Sequence, residues 1–447
     1  MSEEMRGQIV AAVKAAGVVG AGGAGFPTHV KIDASVDTVI VNGAECEPLL
    51  RANQHLMAAE SQRLLLGLKS VMLATGARKG YIGLKQKYAQ AVEKLSQALV
   101  EEKDQKIELF FLPDIYPAGD EQVLVYEVTG RIVPEGGIPL QVGVVVANVE
   151  TLINVAQALE GKPVTDKYLT ICGAVKKPVT LKLPVGMPVA QALELAGGAA
   201  CAAYEVIDGG PMMGKIIAAD AVITKTTSGL LVLPSDHSLI RQKQAPWQQL
   251  ANRAKAVCCN CVECTDVCPR NLLGHRLQPH RIMQAIGHGN VNDSAVLNTA
   301  FLCSECGACD SFGCPMGLSP RRVNAEVKKE LAKNGIKNPF HDAPAQVRAN
   351  RNYRQIPTKR LLARIGLSAY EDKAPLSDVE SGAKFVKILL RQHIGAPAQA
   401  VVEVGAVVAK GDLVAAIPGD GKMGVNMHAS IAGKVVSVTD GITIQAL

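Results

Sequence analysis

Aromatic residues are scarce: they make up 4% of the 447 residues, with a single tryptophan. A single-strand nucleic-acid surface stacks bases on aromatic side chains, so this scarcity argues against one. Neither sign of charge dominates. A formal net charge of +6 over this length suits an ordinary globular chain rather than a dedicated DNA binder, and no nucleic-acid partner is expected. Long apolar runs are also missing; nothing reaches the roughly 18 residues that a transmembrane helix requires. The opening stretch "MSEEMRGQIVAAVKAAG" begins acidic and has no apolar signal-peptide core. Together these absences lead to the expectation of a cytoplasmic compartment, where disulfides are rare.

Twelve cysteines therefore need another explanation, and eight of them recur at regular spacing in two short runs. In "CCNCVECTDVCP", Cys258, Cys261, Cys264 and Cys268 precede Pro269 with the spacing C-x2-C-x2-C-x3-C-P of bacterial ferredoxins. Three thiolates at two-residue gaps can wrap one cubane, and the fourth can reach a second cluster. The proline suits the first turn of a helix, where no amide donor is lost. In "CSECGACDSFGCP", Cys303, Cys306, Cys309 and Cys314 repeat the pattern with one extra residue before the last cysteine, which Gly313 can absorb in a turn. Zinc is the alternative, because paired C-x2-C units also build zinc ribbons. Two triple runs over-supply a four-ligand ion, so the spacing predicts two [4Fe–4S] clusters. Cys259 is expected to point away as a bystander, and Cys46, Cys172 and Cys201 to be small buried hydrophobes. Arg253, Lys255, Arg270, His275, Arg276, His280 and Arg281 flank the first run. They suit charge balance for anionic thiolates, or a dock for an acidic partner.

Near the start, "VVGAGGAGFPTHVK" (residues 18–31) satisfies G-x-G-x-x-G through Gly20, Gly22 and Gly25, with Glu45 twenty residues beyond. A dinucleotide fingerprint needs a strand before the glycines and a helix after them. Residues 2–16 read instead as a helix: Ser2 can cap it, Glu3 and Glu4 suit its first turn, and Ile9, Val10, Val13 and Ala16 recur at helical spacing. Gly17 suits its C-cap, and the strand follows later, at residues 37–43. The Rossmann reading fails on context.

Several pieces, in order, do resemble the flavin-binding fold shared by the NADH-oxidising flavoprotein subunit of respiratory complex I and the C subunit of the Rnf electron-transfer complex. They are "GAGGAGFPTHVK", "VNGAECEP", "YPAGDEQVLVYEVTGR", "ANVETLINV", and "GGPMMG" with the "TKTTSGLLVL" that follows it. The resemblance spans residues 6–330 and implies FMN as cofactor and NADH as substrate. It implies that Gly20, Gly22, Gly23 and Gly25 open backbone amides to a phosphate or ring, that Lys31 neutralises the FMN phosphate, and that Asn42 and Asn148 bond isoalloxazine or ribityl groups. Thr151 would donate to phosphate at a helix start. Glu45, Asp120 and Glu121 would receive nicotinamide or ribose hydroxyls, with Tyr116 beside them; Glu47, Tyr116 and Glu121 can equally be turn or fold residues. No catalytic side chain is expected, because the cofactors carry the redox chemistry.

The expected fold is multidomain, α/β plus α+β. Residues 1–162 form the FMN/NADH domain of complex I flavoprotein type and 163–245 a β-grasp (SLBB-like) domain. Residues 246–335 form a helical two-cluster ferredoxin-like domain, 336–382 a linker with one short helix, and 383–447 a barrel-sandwich hybrid. Lys422, in "GDGKMG", lacks the methionine-flanked hairpin of lipoyl and biotinyl carriers, so no such group is expected there. The Rnf proteins usually carry the barrel-sandwich module before the flavin domain. Its C-terminal position resembles instead the cobalamin reductases of propanediol-utilisation microcompartments. That likeness implies reduction of cob(III)alamin to cob(II)alamin and cob(I)alamin, delivery to a corrinoid adenosyltransferase, and residence inside a microcompartment beside shell proteins. An Rnf-like subunit, oxidising NADH or donating to ferredoxin, and a non-catalytic electron relay are the alternatives.

Overall fold

The computed structural model describes residues 3–447 except 104, 291, 345 and 420; Ser2, expected as a cap, lies outside them. The first helix runs Glu3–Ala15 with Ile9 and Val13 buried, and Gly17 ends it in the left-handed region at φ 68°. A four-stranded parallel sheet follows, in the order Ile107–Leu112, Lys79–Lys85, Thr38–Gly43, Val144–Asn148. The central strand Thr38–Gly43 is an apolar run without alternation because both faces are covered. The helices Ser61–Thr75 and Val149–Leu159 pack on one face and Glu121–Thr129 on the other.

A six-stranded mixed sheet comes next, built on Asp166–Gly173, Val179–Pro184, Tyr204–Asp208 and Gly229–Pro234, with the helix Val189–Leu195 packed against it. A buried ion pair joins it to the flavin-type unit: Lys167 meets Glu150, whose other oxygen accepts from the Tyr168 amide at 2.9 Å. The helices Trp247–Val257, Pro279–Gly287 and Pro320–Lys333 frame the cysteine runs. At the C-terminus two small sheets face one another over Val386, Val414, Met427, Val435, Ile442 and Ile444, a barrel-sandwich arrangement. Lys422 is exposed there, outside any strand.

Among the described residues of 336–382 are one α-helix, Thr358–Arg364, and two short strands that tie other units together. Ile356–Pro357 pairs with Ile115–Tyr116, and Leu376–Ser377 extends the mixed sheet along Val179–Pro184. Leu361, Leu362, Ile365 and Leu367 share a core with Tyr116, Leu231 and Val267. Strands of two residues are too short to show alternation, so periodicity could not announce them. No helix among the described residues is long and apolar enough to cross a membrane.

Candidate functional site

The glycine loop closes on itself. The Gly20 amide donates to Phe26 O at 3.0 Å and the Thr28 amide to Val18 O at 3.1 Å, so residues 21–25 project as a tip. Thr151, at the start of the helix Val149–Leu159, holds that tip by accepting from the Ala21 amide at 2.9 Å. Asn148 caps the same helix, accepting from the Glu150 amide at 2.9 Å, and its Nδ2 donates to Asn53. A Cβ on Gly22 would stand 2.6 Å from Asn148 Nδ2, so a larger residue there must push the Asn148 side chain aside.

Beside the tip lies a cavity of about 470 Å³, a size typical of small-molecule sites. Gly20, Gly22, Gly23, Gly25, Lys31, Asn42, Glu121, Asn148 and Thr151 line it. Its remaining wall is largely apolar, including Val71, Val144, Val145 and Leu140. Lys31 Nζ donates to Glu121 Oε1 at 3.1 Å and to Val146 O at 3.0 Å. Asn42 Nδ2 donates to Gly119 O at 2.8 Å. One cation, one carboxylate and two amides around an apolar slot fit a flat ring system that carries an anionic tail.

Three sequence candidates stand elsewhere. Glu45 accepts from the amides of Asn53 and Gln54 at 3.0 and 3.1 Å, capping the helix Ala52–Ala59; burial pushes its carboxyl above the usual range. Tyr116 is buried and its hydroxyl donates to Cys306 O. Asp120 caps the helix Glu121–Thr129 and pairs with Arg270. These carboxylates and the phenol serve the frame. Residues 116–121 thus touch both neighbourhoods, with Gly119 and Glu121 on the cavity and Tyr116 and Asp120 against the cysteine region.

The cysteines divide across the two runs. Cys258, Cys261 and Cys264 line one pocket together with Cys314; Cys303, Cys306 and Cys309 line the other together with Cys268. The extra residue in the second run is absorbed by a π-helical turn, Cys309–Gly313, closed by the Cys314 amide donating to Cys309 O at 2.9 Å. Gly313 packs against the first run: a Cβ there would lie 2.7 Å from Val267 and 3.2 Å from Cys264 Cα. Cys259, expected to point away, is exposed on the rim of the first cage. Among the described residues no group of three or more His, Cys, Asp or Glu is arranged to hold a single metal ion. Zinc would draw four sulfurs to about 2.3 Å from one centre; two four-cysteine cages suit polynuclear clusters better. Burial pushes the Cys264 and Cys268 thiols up to about 12.

The sequence reading missed the C-terminal module's part in the cavity. Ile394 lines it, and the Ile394 amide donates to Gly25 O at 3.2 Å. Gln392 accepts from the Lys225 amide at 2.9 Å, and Lys225 Nζ reaches Gly17 O at 2.7 Å and Asn426 O at 2.9 Å. No local motif marks Ile394, which is more than 360 residues from the glycine loop. Gly119 and Arg270, in contrast, lay inside stretches already singled out.

Four family models match the chain in succession. The Nuo51 FMN-binding domain family matches residues 13–157, the SLBB domain 168–215, the 4Fe-4S dicluster domain 257–319 and the RnfC barrel sandwich hybrid domain 368–446. Among solved structures, an NAD+-reducing [NiFe]-hydrogenase in the H2-reduced state aligns with 21% identity and a TM-score of 0.48, covering 75% of this chain and 63% of that one. The C component of the Na+-translocating ferredoxin:NAD+ oxidoreductase complex of Acetobacterium woodii is 39% identical over 58% of this chain and 56% of its own. Cobalamin reductase PduS of Citrobacter freundii is 45% identical over 96% of this chain and 94% of its own, and that of Salmonella typhimurium is 45% identical over the same shares. With such identity along nearly the whole length of both chains, the protein belongs to the cobalamin reductase PduS family.

Proposed function

We propose that this chain is an NADH-dependent cobalamin reductase that works through FMN and two [4Fe–4S] clusters. The observation that carries the proposal is the stretch 116–121, which joins the glycine-lined cavity to the cage of Cys303, Cys306, Cys309 and Cys268. Bound flavin exchanges electrons in pairs or singly and clusters exchange them singly, which suits a hydride donor and a metal acceptor. The chain's own residues bind and align. Lys31 would offer its ammonium to the FMN phosphate, Asn42 and Asn148 would bond the ring and its side chain, and Thr151 holds the loop tip. Gly20, Gly22, Gly23 and Gly25 leave room for close approach. Glu121, paired with Lys31, keeps the cation at the cavity until a phosphate takes it over. The eight cysteines would supply two cages of four thiolates, and Arg270 brings a positive charge to the wall of the second.

Cobalamin is the acceptor in this reading, and its reduced product passes to a corrinoid adenosyltransferase, inside a microcompartment bounded by shell proteins. An Rnf-like subunit is the second reading. It is disfavoured because the likeness to the Acetobacterium woodii protein spans 58% of this chain, whereas the likeness to PduS spans 96%. The deciding experiment is an anoxic NADH titration of reconstituted protein, followed spectrally, with hydroxocobalamin then added. Flavin bleaching and corrinoid reduction well above a free-FMN control are expected. Bleaching with corrinoid reduction no faster than the control would turn the assignment to the Rnf-like reading.

A further inference from the structure

One concave site has no part in the arrangement so far. A cavity of about 260 Å³ lies between residues 211–216, the helix Ser238–Gln244 and the start of the helix Pro320–Lys333. Lys215, Lys243, Arg321 and Arg322 line it, with Asp310 as the one carboxylate. Three of these cations are bonded to neutral groups: Lys243 Nζ to Gly214 O at 2.6 Å, Arg321 to Met212 O at 2.7 Å and Arg322 to Gln242 O at 2.8 Å. None of the four makes a direct ion pair among the described residues. Asp310 accepts from the Arg321 backbone amide at 2.6 Å, and the nearby Glu47 accepts from the amides of Met212 and Met213. Arg321 Nε is buried with no acceptor.

This surplus of positive charge is unfavourable by itself. Arg321 and Arg322 sit in the first turn of a 14-residue helix, where the dipole favours anions and disfavours cations. A buried donor without an acceptor adds its own desolvation cost. A phosphate would relieve the crowding of positive charge, since guanidinium forks and an ammonium bind it through charge-assisted hydrogen bonds. The location bears on function: Arg321 lines both this cavity and the cage of Cys268, Cys303, Cys306 and Cys309. A ligand seated here stands one side chain from that cage.

We propose that this cavity is a phosphate site, and that it seats the phosphodiester in the nucleotide loop of a bound corrinoid, leaving the larger ring outside. The corrinoid part rests on the cobalamin-reductase reading; the phosphate part does not. A free phosphate or nucleotide offers the same chemistry, and the test separates the two. The full chain, loaded with flavin and iron, is dialysed against hydroxocobalamin, against cobinamide, which has the ring without the nucleotide loop, and against inorganic phosphate as competitor. Cobalamin should bind more tightly than cobinamide, and phosphate should compete. Lys243→Gln and Arg322→Gln should each weaken cobalamin by about tenfold and leave cobinamide unchanged. Lys243→Arg should restore binding. Phosphate binding that is lost in both glutamine variants, without any preference for cobalamin over cobinamide, would overturn the corrinoid assignment. Binding of every probe equal in wild type and variants, at unchanged iron and flavin content, would overturn the site itself. Dialysis reads binding alone, so loss of NADH-driven cobalamin reduction with phosphate binding intact would count against the reductase reading and not against the site.

Discussion

Gly22 and Lys31 carry the sharpest consequences at the scale of single residues. Gly22→Val forces a branched side chain against Asn148, whose amide would lie 2.6 Å from the new Cβ. The Asn148 side chain must give way, and flavin content after reconstitution, read by fluorescence of the released flavin, should fall about tenfold. Lys31→Ala removes the cavity-lining ammonium and should weaken flavin by about tenfold, the size of one charge-assisted bond. Unchanged flavin content in both variants would remove the assignment of this cavity. Lys225 allows a test by pH. Complete burial holds its ammonium down to about 7, against a usual 10.5. Between those values the unfolded chain binds the extra proton, so this residue makes stability rise with pH across that window. Lys225→Met removes the titrating group, and its unfolding midpoint should climb less steeply from pH 7 to 10 than that of the wild type. Parallel slopes would show that Lys225 does not titrate there.

Among the elements, the two cysteine runs exchange their last members. Their spacing already allowed the fourth cysteine to reach a second cluster. The fold decides that each run does so, because the π-turn Cys309–Gly313 turns Cys314 back towards Cys258, Cys261 and Cys264. Double variants read this partition directly. Cys261→Ser with Cys314→Ser should lose about one cluster's iron, no more than either alone, whereas Cys261→Ser with Cys268→Ser should lose both. The reverse order of iron loss would assign each cage to one run, and zinc in place of iron would replace the clusters altogether.

For the molecule as a whole, the C-terminal barrel-sandwich is a clamp on the glycine loop as well as a terminal module. Ile394 contributes to the cavity wall, its amide holds Gly25 O, and Gln392 and Lys225 tie the module to the mixed sheet and to the end of the first helix. Ile394 is 43% exposed, so Ile394→Ser forfeits about half of a full isoleucine burial, roughly 1 kcal/mol. The flavin off-rate should rise about fivefold, measured by chasing bound FMN with an excess of a spectrally distinct analogue. An unchanged off-rate would confine the module's role to stability.

The local chemistry was legible in the chain alone. Cysteine spacing, the helix-before-loop order that rules out a Rossmann fingerprint, and each single flavin-type piece depend on residues close in the chain, where covalent connection sets the geometry. Tertiary structure decided what distant residues do to those pieces. It turned Glu45, Tyr116 and Asp120 away from the cavity because helix ends, Cys306 O and Arg270 offered buried partners that a linear reading cannot see. It brought Ile394 to Gly25 and Arg321 between two cavities. Such contacts arise from packing between units hundreds of residues apart, and burial and partner geometry, not spacing, set their energy.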